Sequence, residues 1–331
     1  MHQDPPRIAI VIPFFQRKAG LLTQCVRSIL EQPGEVGYQI IVVDDGSPIS
    51  VDGELAPLLD EAGERLTIVR QPNSGPGAAR NAGLDHVPED TPFVTFLDSD
   101  DQWTGPFLTD AVHAMEQGYD LFMGNSARAG QEKTRFEWEA DKGMDLKPKD
   151  HPIIDAERGI HAFQGDFFDL LVRRTSLVST TVFAYQFARF SHVRFDPTIF
   201  NGQDRLFKLT LGQHLEKVAF SPRVYAHEGE GVNIFDKSQW GSEGSVRLVS
   251  SYIRLAKAIL RQINLTSSQE EYVRGQLSDA RHAFLASLLH LVHRRMPVDW
   301  PLVLATLRED PATLLLLPAN LLRIFRNKTV A

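Results

Sequence analysis

The 331-residue sequence predicts an α/β protein: a mainly parallel sheet flanked by helices, followed by a helical extension at the carboxyl end. Two observations carry this. Short apolar, β-branched runs alternate with amphipathic segments from Arg7 to Phe93, the pattern of strands covered on both faces and joined by helical crossovers. After about residue 245 only helical periodicity remains. The boundary is placed so that residues 1–240 form the sheet domain and 241–331 the helical extension.

Arg7–Pro13 (RIAIVIP) is a buried first strand, bounded by prolines. Ala19–Glu31 follows with Leu22, Val26, Ile29 and Leu30 at helical spacing. Tyr38–Val43 (YQIIVV) is a second core strand ending in Asp44-Asp45-Gly46-Ser47-Pro48. Leu55–Ala62 reads as helix and Leu66–Arg70 as a third strand. Asn73-Ser74-Gly75-Pro76-Gly77 is a turn that opens a helix over Ala78–Val87. The Phe93 strand comes next, and the stretch Phe107–Phe163 is less regular, with a strand at Asp120–Gly124 (DLFMG). Phe167–Thr175 reads as helix, Val178–Tyr185 as strand, and Val218–Tyr225 as a late strand. Ser245–Gln262 and Glu270–Arg294 are amphipathic helices. Leu314–Arg326 has an apolar side with basic residues at one end, and could dock on the core, pair with another subunit or lie in a membrane interface.

The chemistry concentrates at Phe93–Trp103 (FVTFLDSDDQW), an apolar strand that stops on Asp98, Asp100 and Asp101. Closely spaced carboxylates need water or a counter-ion. Asp98 and Asp100 are two apart, so an extended backbone points both to one side. Hard oxygen ligands at the carboxyl end of a core strand suit Mg2+ or Mn2+ that is also held by a phosphate. A second reading, the cap and acidic first turn of a following helix, is equally compatible with these residues. In a parallel sheet, ligands lie beyond the carboxyl ends of the strands, so Asp44-Asp45, the Gly75 turn and Asp98–Asp101 belong on one rim.

Two further residues stand out. Asp204 follows the Asn201-Gly202 turn and opens the apolar periodicity of Leu206, Phe207, Leu209 and Leu211. A helix amino terminus favours an ionised carboxylate, as a base requires, and a plain cap explains the same residue. His227 lies in His227-Glu228-Gly229-Glu230-Gly231, where an imidazole could ligate Mn2+ or bond a phosphate, or do neither.

The net charge of −7 is unevenly spread: residues 247–331 hold 12 Lys/Arg against 6 Asp/Glu, a balance of +6, and the remainder carries −13. A basic tail fits either an anionic membrane surface or a solvated helical face. The lone Cys25 excludes an internal disulfide and suits a reducing compartment. MHQDPPR lacks the layout of a signal peptide, and no apolar run approaches the roughly 20 residues of a membrane span. A cytoplasmic protein is expected, for which peripheral membrane contact is one option, with no nucleic-acid partner. Gly75-Pro76-Gly77-Ala78-Ala79-Arg80 has Arg where a dinucleotide fingerprint needs its third glycine, and the sequence contains no GxxxxGK[ST], HExxH, CxxC or GxSxG. Hydride transfer and P-loop hydrolysis are thereby disfavoured.

VIPFFQR, VVDDGSP, NSGPGAARNAGLD, FLDSDDQW and NGQDRLF, in this order over residues 7–235, resemble family 2 glycosyltransferases of the GT-A fold. HEGEGVNIF and SQWGSE are similar to bacterial exopolysaccharide glucosyltransferases of the succinoglycan type. The resemblance implies a GT-A, Rossmann-like sheet and an inverting transferase using a nucleotide sugar, such as UDP-glucose, with Mn2+ or Mg2+. It implies that Pro13 and Asp45 flank the nucleobase with Asp44 nearby, that Arg80 contacts the nucleotide, that Asp98 reaches the ribose and that Asp100 holds the metal. Asp204 would match the base aspartate, although Gln203 stands where the family usually has Glu, and Gln16 where many members have Asn. His227 would match a histidine near the metal or diphosphate. The implied acceptor is a polyprenyl-diphosphate-linked oligosaccharide, and the implied product a β-glycoside. A nucleotidyltransferase and a non-catalytic nucleotide-sugar-binding scaffold are the alternatives, and a homo-oligomer is compatible with the tail.

Overall fold

The computed structural model describes residues 6–142, 144–199, 201–229, 240–316 and 318. Most of Leu314–Arg326 and of HEGEGVNIF lies outside the described residues. Two compact units are resolved: residues 1–197 with 207–232, and residues 198–206 with 233–331.

The first unit is built on ten strands: β1 Ile8–Phe14, β2 Tyr38–Asp44, β3 Leu66–Arg70, β4 Phe93–Phe96, β5 Gln102–Trp103, β6 Leu121–Arg128, β7 Ile153–Asp155, β8 Ile160–Ala162, β9 Phe183–Gln186 and β10 Val218–Glu228. Their order is β3-β2-β1-β4-β9-β6-β10-β8-β7, with β5 paired to β10. Strands β3, β2, β1 and β4 run parallel, as do β6 and β10. β9 enters antiparallel between β4 and β6, and β5, β7 and β8 are also antiparallel to their neighbours.

The helices are α1 Leu21–Leu30, α2 Val51–Leu55, α3 Leu59–Ala62, α4 Pro76–Leu84, α5 Phe107–Glu116, α6 Phe167–Arg174, α7 Phe187–Phe190, α8 Gln203–Gly212, α9 Ser245–Gln262, α10 Ser267–His293, α11 Trp300–Glu309 and α12 Ala312–Leu315. Leu22, Val26 and Ile29 of α1 join Ile10, Ile12 and Val42 in one buried core, which is why the helical spacing and the continuous strand pattern coexist in the sequence.

Three readings from the sequence change. The expected helix over Leu55–Ala62 is broken into α2, a 3-10 turn over Ala56–Leu58 and α3, because Pro57 cannot donate the hydrogen bond a continuous helix needs. Of Val178–Tyr185 only the last part is strand, and Thr180–Val182 is a 3-10 turn. The stretch after Phe107 was expected to be less regular, yet it begins with α5, whose Phe107, Leu108, Ala111, Val112 and Met115 are buried.

Glu54 was not singled out by any sequence motif. Its buried carboxylate accepts hydrogen bonds from the backbone N–H groups of Gly20 at 2.7 Å, Leu22 at 3.1 Å and Thr23 at 3.3 Å, so a side chain remote in sequence supplies the cap that Gly20 cannot. Packing of α4 on β1 is equally specific: a Cβ on Gly83 would lie 2.3 Å from Val11 Cγ1. Val11 is β-branched and stiff, so Gly83→Val is expected to destabilise the fold by about 1–3 kcal/mol, read as a lowered denaturant midpoint at unchanged slope. A midpoint equal to the wild type would contradict this packing.

The second unit contains α9 to α12. Here burial raises the carboxyl of Asp310, but hydrogen bonds from Arg281 and Thr313, the charge of Arg281 and a bond from Lys257 outweigh it and hold the pKa at about 2. A depressed carboxylate contributes stability that is present above its unfolded value and disappears as pH falls through the folded one. The melting temperature of the wild type is therefore expected to fall between about pH 4 and pH 2 by more than that of Asp310→Asn. Parallel pH profiles for the two proteins would show that Asp310 has no such role.

Candidate active site

The rim expected from the sequence is assembled in the first unit at the carboxyl ends of β1, β2 and β4. Asp44 closes β2, and its Oδ1 accepts from Ser47 N at 2.9 Å. The adjacent Asp45 is almost fully buried. Its Oδ1 accepts from Gln71 Nε2 at 2.7 Å and Ser74 N at 2.8 Å, and its Oδ2 from Gly75 N at 2.9 Å. That carboxylate therefore fixes the Gly75 turn, from which α4 starts with Pro76 in its first turn. Pro13 lies in β1, in register with Val43. The segment after β1 is held by Gln16, whose N–H donates to Ser47 Oγ at 3.1 Å and whose Nε2 donates to Ser99 Oγ at 3.1 Å.

Arg80, on α4, is buried and donates through Nη2 to Asp98 Oδ1, while its guanidinium lies 5.4 Å from the centre of the Phe195 ring. Thus Asp45 positions the turn, the turn launches α4, and α4 presents Arg80 to the end of β4. Arg80 Nε and Nη1 and Gln16 Oε1 are buried without hydrogen-bond partners among the described residues. Such groups cost free energy unless a ligand or water meets them.

Asp98, Asp100 and Asp101 follow β4 as the sequence suggested. The Asp98 side chain is 38 % exposed and Asp100 is partly buried, whereas Asp101 is buried. Asp101 accepts from the Thr181 hydroxyl through Oδ2 and from Gly229 N at 2.9 Å through Oδ1, so it braces the turn. Burial pushes the Asp101 carboxyl well up, the charges of Asp98 and Asp100 add to this, and the bonds from Thr181 and Gly229 oppose it. Carboxylates this close repel one another unless a proton or a cation offsets the charge.

His227 lies within β10 rather than on a loop, exposed and in register with Gln102 of β5, so strand pairing holds it next to the end of the acidic turn. The residue after β10 approaches so closely that a Cβ on Gly229 would come within 2.0 Å of the Asp100 carbonyl oxygen. No cluster of three His, Cys, Asp or Glu side chains forms a ready-made metal cage among the described residues. The donors present fit Mn2+ or Mg2+ completed by phosphate oxygens, since such ions are commonly bound through one or two carboxylates plus a substrate.

Asp204 is the second residue of α8 and belongs to the second unit, whereas the rim residues belong to the first. It follows Gly202, whose φ of +84° favours glycine.

Several site-supporting residues escaped sequence reading. Arg135 forks onto both oxygens of Glu228, which also accepts from Ser126 Oγ at 2.7 Å and Ser179 Oγ at 3.1 Å, fixing the end of β10 beside His227. Burial raises the Glu228 carboxyl, but Arg135 and the two hydroxyls more than offset it and leave the pKa lowered. The position of Glu228 next to His227 was the available signal; Arg135 sits in a charged stretch that offered none.

A family model described as Glycosyl transferase family 2 matches residues 9–178. The succinoglycan biosynthesis protein ExoW of Rhizobium meliloti (strain 1021) is 29% identical over 92% of this chain and 94% of its own length. The GalNAc(5)-diNAcBac-PP-undecaprenol beta-1,3-glucosyltransferase of Campylobacter jejuni is 28% identical over 55% of this chain and 56% of its own. Among solved structures, S. aureus TarS 1-349 in complex with UDP-GlcNAc superposes with a TM-score of 0.55 at 16% identity, covering 86% of this chain and 72% of that one. The Pyrobaculum calidifontis mannosyltransferase PcManGT in complex with GDP-Man and Mn2+ gives 0.53 at 16% identity, covering 96% and 86%. At such identities the likeness speaks for the fold, and the fold is the GT-A type that the motif order led one to expect.

Proposed function

This chain belongs to glycosyl transferase family 2, and from that premise we propose that it moves glucose from UDP-glucose, with inversion, onto a polyprenyl-diphosphate-linked oligosaccharide in exopolysaccharide biosynthesis. The observation that carries the donor site is the buried, incompletely satisfied Arg80 guanidinium beside a partly exposed Asp98–Asp100 pair. The names of the Rhizobium and Campylobacter relatives support the polysaccharide and lipid-linked acceptor.

In this reading Pro13, Asp44 and Asp45 frame the nucleobase pocket, Asp98 meets the ribose, and Arg80 donates to the nucleotide. Asp100, with His227 nearby, would hold Mn2+ or Mg2+ together with diphosphate oxygens. A divalent ion supplies Lewis-acid neutralisation of the charge that develops on the departing diphosphate. Asp204 takes the proton of the acceptor hydroxyl on a carboxylate oxygen as that hydroxyl attacks the anomeric carbon from the face opposite the diphosphate. The attacking oxygen gains the C–O bond, UDP leaves with the bonding pair, and an α-linked donor becomes a β-glycoside.

The reading assigns the donor and the reacting end of the acceptor to residues 1–240 and gives 241–331 the role of a helical extension that meets a membrane or a second subunit. Exposed Trp300, Leu304 and Leu315 are the apolar groups that could make such a contact. Among the described residues no helix is long and apolar enough to cross a membrane.

A thermal-shift panel of UDP- and GDP-sugars, each with and without Mn2+, tests the donor. The expected result is stabilisation by UDP-glucose that requires the metal. A larger shift with a GDP-sugar, or a shift indifferent to metal, would overturn the donor assignment.

A further inference from the structure

Resting on the transferase reading, we propose that the helical unit carries its own pyranose-binding pocket, formed by Arg205, Tyr252, Gln276 and Asp279, which receives a neutral sugar residue of the acceptor.

The cavity has a volume of about 440 Å3 and lies within the second unit, where α9 and α10 pack beside the start of α8. It falls inside the roughly 300–1,000 Å3 range of small-ligand sites. Space is created by Ala256, Ala280 and Ala283, positions at which larger side chains would close the gap between the two helices. The Asn201-Gly202 turn seats on α9 so tightly that a Cβ on Gly202 would lie 2.4 Å from Leu255 Cδ2. That contact brings Arg205 to the cavity wall, where its Nη2 donates to Gln276 Oε1 at 2.8 Å. Burial lowers the Arg205 pKa, with Tyr272 and Asp204 acting in the opposite direction.

The polar set selects the ligand class. Arg205 and Asp279 offer one cation and one carboxylate, so the wall has no net preference for an anion, and Asp279 repels phosphate. The Gln276 amide accepts from Arg205 through Oε1 and donates to the Tyr272 hydroxyl through Nε2 at 3.3 Å, which holds Arg205 at the wall. A phenol ring, Tyr252, stands 39 % exposed with the buried Asn201 amide against its hydroxyl end. An aromatic face for C–H groups, beside a cation and a carboxylate that can meet adjacent hydroxyls, matches a sugar ring. Asp204, the proposed base, lies one residue before Arg205 in the same unit. The part of the chain that takes the acceptor's proton is therefore also the part that carries a pocket suited to the acceptor.

The test is saturation-transfer NMR on the full chain with methyl β-D-glucopyranoside and methyl β-D-galactopyranoside as probes. The wild type is expected to saturate at least one of them. Tyr252→Ala and the cavity-filling Ala283→Trp are each expected to weaken the signal by about tenfold, the effect of about 1.4 kcal/mol; two variants of opposite volume guard against loss of fold in either one, checked by melting temperature. Absence of saturation in the wild type, full saturation in both variants, or displacement of the sugar by inorganic phosphate would overturn the pocket. UDP binding to the wild type, measured on the same samples, separates the two readings. Sugar saturation without UDP binding would remove the transferase reading and leave a sugar site; UDP binding with unaltered sugar saturation in both variants would do the reverse.

Discussion

Asp100→Ala is expected to reduce sugar transfer by about 10²–10³-fold or more, the loss that follows removal of one group stabilising transition-state charge, and to weaken UDP binding in the presence of Mn2+. Both effects arise from one cause. Asp98 is engaged by Arg80 and Asp101 by Thr181 and Gly229, and in the proposed reading Asp100 is the carboxylate of this turn that would hold the ion. In the proposed reading Asp100 would hold the ion that neutralises the diphosphate, so its loss would weaken donor binding as well as turnover. Metal-dependent calorimetry with UDP, alongside initial rates, checks the pairing of these losses. A variant that binds UDP and Mn2+ as the wild type does would place the ion elsewhere.

Asp204→Asn should show the complementary pattern: a loss of about 10²–10⁴-fold in turnover, as for removal of a general base, with the affinity for UDP and Mn2+ retained. The amide keeps the shape and the polar capping capacity of the aspartate but cannot accept the proton of the incoming hydroxyl. If the residue served only as a helix cap, the asparagine variant would turn over normally, since Asn caps as well as Asp. Comparing kcat with UDP affinity for the two variants assigns the ion site and the base independently.

Much of this was readable before any coordinates. The strands of the first half were legible because both faces are covered, which leaves continuous apolar runs such as RIAIVIP and YQIIVV at nearly their observed bounds. The rim residues were legible because a buried strand that ends on three carboxylates is electrostatically costly without a purpose. What sequence could not reveal was how differently the carboxylates of the turn are partnered. Asp98, Asp100 and Asp101 look alike on paper, and it is Arg80, Thr181 and Gly229, distant in the chain, that make them different. The cap supplied by Glu54 and the fork from Arg135 to Glu228 were invisible for the same reason, since each joins residues that no local pattern connects. His227 was placed on a loop because glycines follow it, but pairing with Gln102 extends β10 through it. The break at Pro57 could have been read from the residue itself; the apolar periodicity across Leu55–Ala62 masked it.

β9 sits between β4 and β6 although it comes after both in the chain, and Phe96 of β4 packs on Phe183, Tyr185, Phe195 and Phe207. During synthesis the ribosome therefore releases β4 with one edge unpaired and its aromatic side chain uncovered until the chain has grown past residue 207. Fragments ending near residue 178 should accordingly aggregate, even though they contain every strand of the parallel half and the whole acidic turn.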